Sequence, residues 1–239
     1  MPGEGFLGVL GGMGPAATAD FLLRLARLAP ARRDQDHLPY VVYSDPRTPD
    51  RSDAILGQGP DPLPAMREGI EFLNRAGCAL IAIPCNTAHY WYDELAAASA
   101  APVLHIVDTT AQRLRQCDGV TTVGVLATDG TLRSGIYHHR LRAAGLTVLD
   151  LAEQGEHNPA MQGIRLVKAG DQPAAQAALH TAAAQLVRRG AQALVIGCTD
   201  ISAALAGADT LAGVPAIDAA DCLAAACLTT TLADHVDSG

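Results

Sequence analysis

The chain of 239 residues has almost no lysine: all but one of its 17 basic residues are arginine, the exception being Lys168. A pyridoxal phosphate enzyme needs a lysine to carry its Schiff base. Lys168 is the sole candidate for that role, and nothing around it resembles a cofactor site. No C-x-x-C pair occurs among the six cysteines at 78, 85, 117, 198, 222 and 227, so a zinc site is not expected. No apolar run approaches the ~20 residues needed to cross a bilayer. Positive charge is scarce too. A net charge of −8 leaves no expected nucleic-acid footprint. The start, Met1-Pro2-Gly3-Glu4-Gly5, lacks the basic opening and apolar stretch of a signal peptide. The expected location is the cytoplasm, where thiols stay reduced and the cysteines need not pair. Neither metal nor cofactor is expected.

What is present can build a core. The chain is 49% hydrophobic and 18% charged, which fits one large domain or two small ones and argues against disorder. Two cysteines then stand out. Cys85 ends Ile81-Ala82-Ile83-Pro84, and Cys198 ends Leu194-Val195-Ile196-Gly197. Each run is apolar and of strand type, and each is followed by small polar residues that can open a helix. An Arg-x-Gly precedes both at the same distance, Arg75-Ala76-Gly77 and Arg188-Arg189-Gly190. The offset is 198 − 85 = 113. The remaining cysteines, 78, 117, 222 and 227, read as small buried hydrophobes.

The repeat continues. Ala101-Pro102-Val103-Leu104 aligns with Val214-Pro215-Ala216-Ile217 at the same offset. Leu7-Gly8-Val9-Leu10 aligns with Val123-Gly124-Val125-Leu126, where the offset is 123 − 7 = 116. A period this long excludes a solenoid and implies a duplicated α/β half. Strands are expected near residues 5–11, 39–44, 78–84 and 102–105, then 121–127, 146–150, 191–197 and 214–217. Helices between them show apolar faces: Phe21, Leu22, Leu25 and Leu28; Ala65, Ile70, Phe72 and Leu73; Ala183, Leu186 and Val187. The expected architecture is α/β, with two similar parallel-sheet domains. The first covers 1–118 and the second 119–239, the last helix packing back on the first domain. Parallel sheets bind ligands beyond the carboxyl ends of their strands. Function is therefore expected in the loops after the strands. The segment from Ser44 to Pro64, rich in Pro, Asp and Gly, is long for a connection and reads as a lid.

Three of those loops carry chemistry. Gly11-Gly12-Met13-Gly14-Pro15 matches neither G-x-G-x-x-G nor a Walker sequence. It does let backbone N–H groups at a helix start approach an anion, a carboxylate included. Cys85-Asn86-Thr87 and Cys198-Thr199-Asp200 add thiols at two more helix starts, where a thiol is acidified. Inverting a stereocentre needs a base on one face and an acid on the other. Two thiols facing across a cleft supply both. His89 lies one helical turn after Cys85, placed either to tune the thiol or to pack.

These motifs resemble the aspartate/glutamate racemase superfamily, in its aspartate and broader amino-acid racemase branch. The likeness rests on Gly-Gly-Met-Gly-Pro-Ala-Ala-Thr, Thr-Pro-Asp-Arg, Pro-Cys-Asn-Thr-Ala-His, Leu-Ala-Thr-Asp-Gly-Thr and Gly-Cys-Thr-Asp-Ile. It runs from about Leu7 to Cys222. The resemblance implies cofactor-independent racemisation of an amino acid, most simply an acidic one. It also implies an active site between two α/β domains, and a homodimer. Its catalytic cysteines fall on Cys85 and Cys198. Its substrate-carboxylate arginine falls on Arg51, and the lysine of its Lys-Ala-Gly segment on Lys168. The substrate-binding set extends to Gly12, Met13, Asn86, Thr87, Thr128, Thr199 and Asp200. One departure stands at Asp200, where the family commonly has Glu, so the carboxylate is one methylene shorter.

Other readings remain open on the residues alone. A maleate isomerase or arylmalonate decarboxylase type shares the implied fold, though a decarboxylase needs only one acid. A non-catalytic amino-acid-binding module leaves both thiols unexplained.

Overall fold

The computed structural model describes residues 5–205 and 207–236. The chain divides into two compact units, Met1–Ile106 with Ala220–Gly239, and Val107–Ala219.

In the first unit, β1 (Phe6–Gly11) leads through a glycine loop into α1 (Pro15–Leu28). Proline suits that helix start, because its missing N–H would have no helical partner there. Then come β2 (Tyr40–Ser44), the short α2 (Arg51–Ile55), α3 (Leu63–Arg75), β3 (Cys78–Ala82) and α4 (Tyr92–Ala98). The strands are parallel in the order β2-β1-β3. The central β1 is buried from Leu7 onward, as a strand covered on both faces must be. Helix α3 buries Met66, Gly69, Ile70 and Leu73. Gly69 is required there, since a Cβ would lie 2.4 Å from the Leu10 side chain.

The second unit opens with α5 (Ile106–Leu114), β4 (Thr122–Leu126), α6 (Asp129–Ser134), α7 (Ile136–Ala143) and β5 (Thr147–Leu149). It continues with α8 (Pro159–Lys168), α9 (Gln172–Arg188), β6 (Ala193–Ile196), α10 (Thr199–Leu205), β7 (Thr210–Leu211) and β8 (Val214–Asp218). Its sheet runs β5-β4-β6-β8-β7, parallel except for the antiparallel β7. Helix α11 (Ala219–Val236) follows, and from Ala220 it belongs to the first unit.

The duplication holds at the level of register. Gly8 pairs with Ile81, and their repeat equivalents Gly124 and Leu194 pair in turn. Ile81 bridges Val103, and Leu194 pairs with Ala216. The expected strand at 102–105 is, however, reduced to that single bridge. Among the described residues no further strand lies beyond it, whereas β8, which carries the equivalent proline at Pro215, is flanked by β7. The division between units also falls at Ile106, ahead of the expected boundary at Asp118–Gly119, so α5 groups with the second unit.

The helical faces differ in detail. Leu28 and Phe72 are exposed, at 45% and 41%. The buried stripe of α1 instead includes Arg24. Its guanidinium meets Asp20 one turn earlier and Asp221 on α11, both at 2.6 Å. The charge is tolerated because two carboxylates neutralise it while its stem packs. Arg24→Met is expected to lower stability to urea by about 1–3 kcal/mol, less than for a fully buried pair, because both carboxylates retain water contact. An unchanged urea midpoint would deny the ion pair that role.

Candidate active site

In the first unit the loops after β1, β2 and β3 leave the same edge of the sheet. Gly12 has φ +88°, and a Cβ there would sit 2.4 Å from the backbone N of Asp45. Glycine is needed on both counts. The loop is fastened internally by Thr18, whose hydroxyl accepts from Gly12 N–H at 2.9 Å and donates to Gly14 C=O at 3.0 Å. Met13 turns its side chain into the core with Cys85, Ile83 and Trp91. Only its backbone remains for a substrate.

The Ser44–Pro64 segment is folded rather than a bare lid. Its α2 is capped by Asp50, which accepts from Ser52 and Asp53 N–H. It packs against the 3-10 turn Thr87–Trp91. Two arginines bracket its start. Arg47 is 88% exposed and pairs with Asp45 at 2.8 Å, holding that carboxyl down to about 2. Arg51 is different. Its NH1 donates to Pro49 C=O at 2.7 Å and Thr48 C=O at 3.1 Å. Its Nε is buried without a hydrogen-bond partner among the described residues. A buried guanidinium N–H left unpaired is costly, and a carboxylate would satisfy it.

Cys85, Asn86 and Thr87 are all buried, at 8%, 5% and 7% exposure. Cys85 sits in a tight turn, its N–H donating to Ile83 C=O at 2.8 Å. A 3-10 turn follows it before α4 begins, not the expected regular helix. His89 does not reach the thiol. Its Nε2 takes Ile106 N–H at 3.2 Å, so the hydrogen-bond network assigns the ring proton to Nδ1, which donates to Cys85 C=O at 2.9 Å.

In the second unit Thr128, Cys198, Thr199 and Asp200 follow β4 and β6. Thr128 caps α6, its hydroxyl accepting from Thr131 N–H at 3.1 Å. Cys198 is buried at 8% exposure, and its carbonyl accepts from Ser202 N–H in the first turn of α10. Ser202 in turn donates through its hydroxyl to the Asp218 carboxylate at the end of β8. Lys168, the last residue of α8, is exposed. Burial pushes the Asp200 carboxyl up, and the charge of Lys168 opposes that shift. The sequence pointed to neither Ser202 nor Asp218, although both lie at fixed distances from Cys198.

Asp200 makes a pH prediction. Its folded pKa is raised, so between the model-peptide value of 3.8 and the folded value the native state holds more protons. Stability therefore falls as pH rises through that window, and the full cost of the buried charge persists above it. Asp200→Asn is expected to raise the melting temperature at neutral pH and leave it little changed below pH ~3.8. A neutral-pH melting temperature at or below that of the parent protein would oppose this assignment.

The other cysteines mostly behave as packing residues. Cys78, Cys222 and Cys227 are buried, and burial pushes the Cys227 thiol up to about 12. Cys117 is the exception, half-exposed three residues beyond the end of α5. Among the described residues no group of three His, Cys, Asp or Glu is arranged to hold a metal ion, and no helix is long and apolar enough to cross a membrane.

Comparison with known proteins places these features in context. Residues 10–227 match the family described as Asp/Glu/Hydantoin racemase. The broad specificity amino-acid racemase RacX of Bacillus subtilis (strain 168) is 30% identical over 233 residues, covering 95% of this chain and 98% of that protein. The solved structure of Picrophilus torridus aspartate racemase is 32% identical, with a TM-score of 0.83 over 95% of this chain and 94% of that one. Glutamate racemase isoform RacE1 from Bacillus anthracis shares the fold at 20% identity, with a TM-score of 0.72 over 98% of this chain and 83% of that one.

Proposed function

Because this chain belongs to the Asp/Glu/hydantoin racemase family, we propose that it interconverts L- and D-aspartate or glutamate by proton transfer between Cα and two cysteines, without a cofactor. The observation that carries this reading is the buried thiol at the carboxyl end of the equivalent strand in each half, Cys85 after β3 and Cys198 after β6. In this reading one cysteine as thiolate takes the Cα proton. The Cα–H bond breaks, an S–H bond forms, and the electron pair spreads into the α-carboxylate. The other cysteine delivers its thiol proton to the opposite face and becomes the thiolate. The two have exchanged roles, and the next turnover runs in reverse or after proton exchange with water.

Supporting groups follow from their chemistry. The backbone N–H of Met13, with Asn86, Thr87, Thr128 and Thr199, suits the α-carboxylate and the charge that builds on it, while Gly12, whose own N–H is given to Thr18, shapes the loop that presents it. Asp200 suits the substrate ammonium. Arg51 and Lys168 suit a side-chain carboxylate, and the unpaired Nε of Arg51 favours an acidic substrate. We further propose a cytoplasmic homodimer. The apolar edge strand β2, in which no residue is fully buried, favours a second copy, and light scattering of the purified protein tests it.

The decisive assay incubates purified protein with single L- or D-amino acids and reads chirality. Aspartate or glutamate is expected to approach an equal mixture from either side. That activity should survive dialysis against a chelator and treatment with carbonyl reagents. No interconversion of any amino acid would refute the racemase reading, and a need for added pyridoxal phosphate or metal would refute the two-thiol mechanism.

A further inference from the structure

Each cysteine is followed at the same two distances by a pair of polar residues. The first pair is His89 and His105 (89 − 85 = 4; 105 − 85 = 20), and the second is Ser202 and Asp218 (202 − 198 = 4; 218 − 198 = 20). In both halves the two members meet. The rings of His89 and His105 lie 4.8 Å apart between centroids, and Ser202 donates to Asp218. All four are buried, with exposures of 2%, 4%, 2% and 9%. The chemistry of the pair has diverged between the halves while its place in the fold has not.

The contacts explain what such a pair does. A thiol on a loop beyond a strand end can swing unless its turn is fastened. Behind Cys85, His89 grips the cysteine's own carbonyl through Nδ1–H and, through Nε2, the N–H of Ile106 just past the bridged segment. Behind Cys198, the cysteine's carbonyl accepts from Ser202 N–H, and the Ser202 hydroxyl anchors that turn to Asp218. Asp218 is the strand partner of Ile196, two residues before Cys198. In each half the residue at +4 ties the thiol's turn to the neighbouring strand segment.

We propose that His89 and Ser202 are positioning residues, each aiming one of the two thiols by fastening its turn to the segment at +20. This rests on the two-thiol racemase reading. Neither residue takes or gives the Cα proton.

A racemase offers a readout that a general loss of stability would not move. In D2O, each enantiomer loses its Cα hydrogen to one particular cysteine. A variant that misaims one thiol slows exchange of one enantiomer and largely spares the other. Ser202→Ala removes the link to Asp218. His89→Gln keeps an acceptor for Ile106 N–H but loses the donor to Cys85 C=O, while His89→Asn does the reverse. Ser202→Ala and His89→Gln are each expected to slow exchange of one enantiomer by about 10- to 100-fold, and the enantiomer affected should differ between them. Ser202→Thr should stay nearer the parent protein, whereas His89→Asn, which gives up the tie to Ile106, should slow the same enantiomer as His89→Gln. Equal slowing of both enantiomers, slowing of the same enantiomer by Ser202→Ala and His89→Gln, or no slowing would overturn the proposal. Absence of exchange in the unmodified protein would instead overturn the racemase reading beneath it.

Discussion

Replacing either Cys85 or Cys198 by serine is expected to reduce racemisation by about 10²–10⁴-fold or more, the usual worth of a positioned acid or base. A serine hydroxyl matches the thiol closely in shape. It is a far weaker acid, and its neutral form a far weaker base, so the site keeps its geometry and loses its chemistry. The two substitutions should not be equivalent in every assay. With one thiol remaining, the enantiomer whose proton faces it can still lose that proton and regain deuterium from solvent on the same face. Single-serine variants should therefore exchange opposite enantiomers while racemising neither. The double variant should do neither reaction. Near-parental racemisation by either single variant would end the two-thiol mechanism, whatever the substrate proves to be. Iodoacetamide gives an independent check: it should inactivate the parent protein, and saturating substrate should protect it.

Arg51 carries the second large effect. Its NH1 is already committed to Pro49 and Thr48 carbonyls, and its buried Nε has no partner among the described residues. A hydrogen bond to a charged group is worth roughly 1.5–3 kcal/mol, or about one to two decades in kcat/KM. Arg51→Ala should lose at least that for aspartate or glutamate. Arg51→Lys should lose most of it as well, although the charge remains. Lysine carries its single ammonium at the tip and has no donor at the level of Nε. A neutral amino acid such as alanine should be affected much less. If both variants depressed alanine and aspartate turnover by the same factor, Arg51 would not be the partner of the side-chain carboxylate. The preference for acidic substrates would then lose its main physical support.

How much of this was legible beforehand differs from residue to residue. The paired thiols were, because an apolar run ending in Cys recurs at one offset with Arg-x-Gly before it and a proline segment after it. The glycine loop was legible too, and its Gly12 proves to need both its positive φ and its missing Cβ. Arg51 could be named from its motif, but not distinguished from its neighbour Arg47 by burial. Arg24 broke the apolar pattern of α1, since its neutralising partner Asp221 lies 197 residues away. His89 was visible with its role undecided, for a ring nitrogen's proton follows from what surrounds it. Ser202 looked like any polar residue on a short helix.

By itself the sequence determined the alternation of strand and helix, the duplication, the two thiols and the loops that carry chemistry. Those follow from hydrophobic periodicity, from turn residues and from self-similarity, all of which are local or repeated in the chain. Tertiary structure alone decided which polar residues became buried and what they bond to. It buried the Nε of Arg51 with no partner among the described residues, gave Asp200 a raised pKa and tied Ser202 to Asp218. It also shortened the strand at 102–105 to one bridge, set the division of the units at Ile106 and returned α11 to the first unit. The physical reason is the same throughout. Desolvation and hydrogen-bond pairing depend on neighbours brought together across long stretches of chain, and a one-dimensional pattern does not name those neighbours.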